Sequence, residues 1–154
     1  MSDSKKYDLT YLVKDLLPEE MVIKLRPLLT ITEDLDYEVD RAAAVYGYYA
    51  VLSEKADTRY QRVKFNFEKW RAEAEYKESK DRSLAGAKAH TEAQMKAFIM
   101  SQPKYRSYQS HLIDVDEQKR VLKVIARALE LKKDLVQTKC SNRRGEMKTP
   151  SGRS

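Results

Sequence analysis

Between residues 59 and 71 the chain reads Arg59-Tyr60-Gln61-Arg62-Val63-Lys64-Phe65-Asn66-Phe67-Glu68-Lys69-Trp70-Arg71, and Tyr76, Lys77, Lys80, Arg82 and Lys88 follow. Cations interleaved with rings suit one chemistry best. Ammonium and guanidinium groups track a phosphate backbone, while ring faces stack on unpaired bases. The pattern assigns single-stranded DNA contacts to Arg59, Arg62, Lys64, Lys69, Arg71, Tyr76, Lys77, Lys80, Arg82 and Lys88.

Residue sets for catalysis are missing from the sequence. With four glycines, none in a Gly-x-x-x-x-Gly-Lys-Ser/Thr run, there is no phosphate-cradling loop. His90 and His111 stand in different segments, without the spacing that pairs histidines on a metal, so no metal site and no cofactor are expected. Asp114 and Asp116 lie two apart on a helix and do not face each other. Cys140 has no base near it in sequence. The chain reads as a non-enzyme.

What positions the cations and rings is a long helix. Tyr48 to Ala85 contains neither Gly nor Pro. Leu35, Val39, Ala42, Tyr46, Tyr49, Ser53, Ala56, Tyr60, Val63, Phe67, Trp70, Ala74 and Lys77 keep 4-3-4-3 spacing, the a and d positions of a heptad. A helix from about Thr32 to Arg82 would be roughly 75 Å long, so it must fold back on a partner helix or bury itself against other copies. Thr32, followed by Glu33 and Asp34, reads as its N-cap. With Tyr60 and Phe67 as a positions, the c row is Arg41, Tyr48, Lys55, Arg62, Lys69 and Tyr76, and Lys64 and Arg71 are e residues. The b row of Asp40, Glu54, Glu68 and Glu75 is acidic. Tyr60, Phe67 and Trp70 lie on the seam and read as core, whereas Phe65 and Tyr76 lie off it and are better placed to stack.

The remaining elements follow from the same rules. Leu9, Leu12, Val13, Leu16 and Leu17 stripe one helical face, Pro18 opens a second short helix and Pro27 closes it, giving an N-terminal unit over 1–31. After a looser stretch from Ser83 to His90, Thr91 and Gln94 form a capping box for a short helix, and Pro103 stops that helix or starts the next. Tyr105, Tyr108, Leu112, Val115, Lys119, Leu122, Ala126, Leu129, Lys133 and Val136 then repeat the 3-4 spacing. The expected fold is all-α: a long antiparallel helical hairpin or coiled coil over 32–140, preceded by short helices and followed by a basic disordered tail over 141–154. The stretch Ala42–Leu52 is apolar nearly all round and needs more than one neighbour. Val45, Tyr48, Val51 and Leu52 are accordingly assigned to a homo-oligomer interface.

Composition sets the class. At 154 residues there is room for one domain, and 42% apolar with 35% charged residues fits a helical protein with a core. The longest uncharged stretch is too short to span a bilayer, residues 1–10 lack the apolar core of a signal peptide, and a single cysteine fits a reducing compartment. The sequence therefore predicts a soluble cytoplasmic protein with no membrane partner. The net charge of +6 is unevenly spread: residues 1–40 carry ten acids against five bases, and residues 131–154 seven bases against two acids. The two ends should meet different partners.

The helix order carries a resemblance. A long helix ending in a basic, aromatic segment is followed by Thr-Glu-Ala-Gln-Met-Lys-Ala-Phe-Ile, a polar Tyr-containing stretch and Gln-Lys-Arg-Val-Leu-Lys-Val-Ile-Ala-Arg-Ala-Leu-Glu-Leu-Lys-Lys-Asp. This layout, over roughly Asp36 to Thr138, resembles the UvsY-type recombination mediators of tailed bacteriophages. The resemblance implies a small helical protein assembled into a ring of about seven subunits. Such a ring binds single-stranded DNA, loosens the single-strand-binding protein and helps load a RecA-like recombinase, and in a phage the site of action is the host cytoplasm. The family's DNA-contacting segment falls on Lys69 to Lys88, where this chain intersperses acids among its bases. The other reading is a structural coiled-coil adaptor or phage assembly protein that binds no DNA.

Overall fold

The computed structural model describes residues 27–148, together with Leu17 and Leu25. These residues are predominantly helical and include no strand. Three helices have their bounds here: α1 (Leu35–Leu84), α2 (Glu92–Ser101) and α3 (Pro103–Lys148). The chain divides into two units, one of residues 1–55 with 118–154 and one of residues 56–117, so α1 and α3 each contribute to both.

In the first unit the a/d seam is the buried face. Ala42 and Tyr49 of α1 and Leu122, Ala126, Leu129 and Val136 of α3 are buried. The pairing is antiparallel: Cys140 Sγ lies 3.9 Å from the Leu35 carbonyl oxygen near the start of α1, and the Lys133 ammonium sits 4.8 Å from the Tyr46 ring centre further along. The core is wider than the two-row seam, because Glu38, Val45 and Leu52 on the adjacent g row of α1 and Ile125 and Lys132 on α3 are also covered. A third segment lies against that row. Leu28 is buried and lines a small void with Ala42, Val45, Leu129 and Lys132.

The centre of this unit is an ion pair that spacing did not indicate. Lys132 Nζ stands 2.9 Å from Glu38 Oε2 and donates to the Leu28 carbonyl oxygen at 2.7 Å. Glu38 Oε1 accepts the Thr32 N–H at 3.1 Å. Glu38 is 2% exposed and Lys132 9%. Burial pushes the Glu38 carboxyl up, but the Lys132 ammonium and the Thr32 bonds outweigh it and hold the group below the usual carboxylate range.

In the second unit, rings replace aliphatic residues on the seam. Phe67 lies 5.9 Å from Tyr105 and 5.8 Å from Tyr108, and Trp70 lies 5.5 Å from Tyr108, centre to centre. Tilted pairs at this range add about 0.5–1.5 kcal/mol each beyond their buried area. Phe67 and Trp70 are thus packing residues, as their seam positions predict. Val63 and Val115 are buried in the same unit.

Four boundaries differ from the sequence expectation. The cap of α1 is Asp34, whose Oδ1 accepts the Tyr37 N–H at 3.1 Å; the Thr32 N–H is taken by Glu38 instead, so the helix begins at Leu35. Residues 27–29 are helical, so Pro27 does not close its segment. The helices expected at residues 9–17 and 18–26 otherwise lie outside the described residues. The loose stretch begins later than Ser83, because α1 continues to Leu84 and ends in paired bonds, Gly86 N–H to Ser83 O at 3.1 Å and Ala87 N–H to Arg82 O at 2.9 Å. These satisfy orphan carbonyls and require the left-handed conformation that Gly86 adopts at φ 70. Finally, α3 runs through Gly145 to Lys148, so the first eight residues of the expected disordered tail are helical.

The capping box at Thr91 is present: its hydroxyl accepts the Gln94 N–H at 3.3 Å, and the Gln94 side chain accepts the Thr91 N–H at 3.0 Å. Gln102 ends α2, and Pro103 opens α3 at a position where no N–H is needed. Replacing Thr91→Ala should cost about 1 kcal/mol, read as a lower urea midpoint with an unchanged m value. A Thr91→Ser variant should retain most of that stability.

Candidate nucleic-acid interface

All ten assigned DNA contacts fall in the second unit, and nine of them on α1 or its last turn. A single helix fixes their angular positions. Arg62, Lys69 and Tyr76 occupy the c row; Thr58, Phe65, Ala72 and Ser79 occupy the neighbouring f row. Together these rows form an outward face in which every one of the seven side chains is exposed and none is acidic. Phe65 is 65% exposed and Tyr76 70%. An unpaired aromatic ring on solvated helix surface gains nothing for the fold, so both rings are free to stack on a ligand. The exposure of Phe65 and Tyr76 agrees with their expected place off the seam.

The other assigned cations differ in their surroundings. Lys69 Nζ lies 3.9 Å from Glu73, and Arg71 Nε donates to Glu75 at 2.8 Å, both i, i+4 pairs on exposed surface. Such pairs contribute about 0–1 kcal/mol, so a phosphate can displace the carboxylate at little cost. Arg59, Lys64 and Lys80 are exposed. Arg82 has a structural task, since its Nε donates to the Lys88 carbonyl oxygen at 2.8 Å and closes the connector between α1 and α2. Lys88 itself is exposed in that connector.

Lys77 looks elsewhere. It lines a cleft of about 550 Å³ with Trp70, Glu73, Glu78, Asp81, Phe98 and Lys104. Three carboxylates against two ammonium groups make this cleft unfavourable for a phosphate. Glu78 is also held by His90, 2.9 Å away, whose ring stacks on Phe98. The c/f face, unlike the cleft, combines exposed cations with exposed rings, although Glu73 and the acidic b row border it.

At the assigned oligomer interface, Tyr48 and Val51 are exposed on the c and f rows of α1 in the first unit, whereas Val45 and Leu52 are half-buried. Val45 and Leu52 sit on the g row that the chain's own packing covers. Among the described residues no group of His, Cys, Asp and Glu is arranged to hold a metal ion, and no helix is long and apolar enough to cross a membrane. Comparison with known proteins gives no match to a family model, a curated protein or a solved structure.

Proposed function

We propose that this protein is an oligomeric single-stranded-DNA-binding recombination mediator, which helps a RecA-like recombinase displace a single-strand-binding protein and load onto DNA. The observation that carries the DNA-binding part is the outward c/f face of α1, where Arg62, Phe65, Lys69 and Tyr76 are all exposed and no acid intervenes. The recombinase and the single-strand-binding protein enter through the resemblance of the helix order. Each subunit offers few cations, so one copy would bind weakly. An assembly such as a ring of about seven raises affinity through effective concentration.

The reading has a direct test. Affinity for a labelled oligonucleotide should fall steeply with salt and depend little on base sequence, because phosphate contacts release counterions. A dissociation constant that does not move between low and high salt would remove the phosphate contacts from the account. Recombinase loading is read separately, as faster joint-molecule formation on DNA precoated with single-strand-binding protein. A structural adaptor without DNA binding is favoured by ion pairs such as Lys69–Glu73 and Arg71–Glu75, which partly neutralise the segment. That alternative predicts no oligonucleotide retention even at low salt.

A further inference from the structure

Among the described residues of the first unit, two apolar rows lie outside the core. On α1, Tyr37, Arg41, Ala44, Tyr48 and Val51 follow one another at 4-3-4-3 spacing, and Tyr37, Tyr48 and Val51 are each half or more exposed. Arg41 lies over the Tyr37 ring, 5.6 Å from its centre, and extends the row. On α3, Val121, Val124, Ala128, Leu131 and Leu135 keep 3-4-3-4 spacing, and Val124, Leu131 and Leu135 are each half or more exposed. A helix packed on one neighbour shows one apolar stripe. A second stripe at heptad spacing is the mark of a second helical neighbour.

Charge selects that neighbour. Leaving aside the buried Glu38–Lys132 pair, the part of α1 that bears its row, Leu35–Lys55, has three acids and two bases, whereas residues 118–139 of α3 have six bases and two acids. Packing α3 on α3 of another copy would juxtapose like charges, and packing α1 on α1 would gain no attraction. Packing α1 on α3 juxtaposes opposite ones. We propose that the outer row of α1 in one copy docks on the outer row of α3 in the next. This deepens the oligomeric part of the reading above and does not depend on DNA binding. Because each copy then uses two different patches, the contact is heterologous and repeats from copy to copy until it closes.

Cross-linking tests the pairing. In a Cys140→Ser background, Val51→Cys subunits and Leu131→Cys subunits with different tags are co-expressed and treated with a flexible bis-maleimide. Both positions are solvent-exposed, so the fold is retained and is checked by circular dichroism. The expected product is a mixed-tag dimer, with either variant alone giving little or none. Same-tag links as abundant as mixed ones would overturn the heterologous pairing, as would the absence of any link. As a second measurement, Val124→Glu with Leu131→Glu should reduce the native mass to that of the single 18.0 kDa chain at unchanged helicity. Assembly that persists in this variant also overturns the pairing. Oligonucleotide binding at low salt, measured on the same cross-linked samples, reads the DNA proposal independently.

Discussion

Lys132→Ala should destabilise the protein by about 3–5 kcal/mol, because it leaves the Glu38 carboxylate buried without its counter-charge. The loss has two parts: the 2.9 Å ion pair and the bond to the Leu28 carbonyl oxygen. It is read as a lower denaturant midpoint at constant m. Replacing both partners, Glu38→Leu with Lys132→Leu, should recover much of that stability, since an apolar pair needs no solvation. A single Lys132→Ala variant within about 0.5 kcal/mol of the parent, the range of an ordinary surface change, would mean that the pair is open to water. The pH dependence follows from the direction of the Glu38 shift. Its folded value is lowered, so its contribution is complete at neutral pH and is lost as pH falls through the carboxylate range toward that lower value. Glu38→Gln should flatten that acid limb.

Phe65→Ala and Tyr76→Ala should each weaken oligonucleotide binding by about 1–3 kcal/mol per stacked base lost, while the salt slope stays nearly constant. Arg62→Ala with Lys69→Ala should do the reverse: weaker binding with a shallower slope, since fewer counterions are released. The contrast separates rings from cations on one surface. Helicity should be unchanged in all three variants, because every one of the four side chains is exposed. In an assembly each loss recurs in every subunit, so the measured effects exceed those of a single site. Binding that survives all four changes would move the DNA contact off this face.

The heptad seam was legible because it is a local property: thirteen positions of α1 follow from spacing alone, and most of them are buried or half-buried. The capping box was legible for the same reason, since Thr91 and Gln94 satisfy one another within a single turn. The Glu38–Lys132 pair was not, because it depends on which g residues meet across the hairpin, and register is a tertiary property. The start of α1 turned on a competition between two good caps. Glu38 engages the Thr32 backbone and leaves Asp34 to cap the helix. At the other end, residues 141–148 have the polar, basic look of a tail, yet Arg, Glu, Met and Lys are strong helix formers and extend α3 through Gly145. On the candidate interface the cations were legible from composition. Which of them look outward and which face the acidic cleft required the helix to be placed against its neighbours.

The connector from residue 85 to residue 91 is exposed, contains glycine, and separates two helices, the usual profile of a site where chains are nicked or tolerate insertions. Its bonds argue otherwise. The Gly86 and Ala87 amides are tied back to α1, the Arg82 guanidinium grips the Lys88 carbonyl, and Thr91 is locked in its capping box. A protease must first peel a length of backbone away, and here peeling Gly86, Ala87, Lys88 or Thr91 breaks a bond made to a helix end. The hinge of the hairpin is in this sense a rivet: accessible to water, yet expected to be nicked more slowly than its exposure alone would suggest.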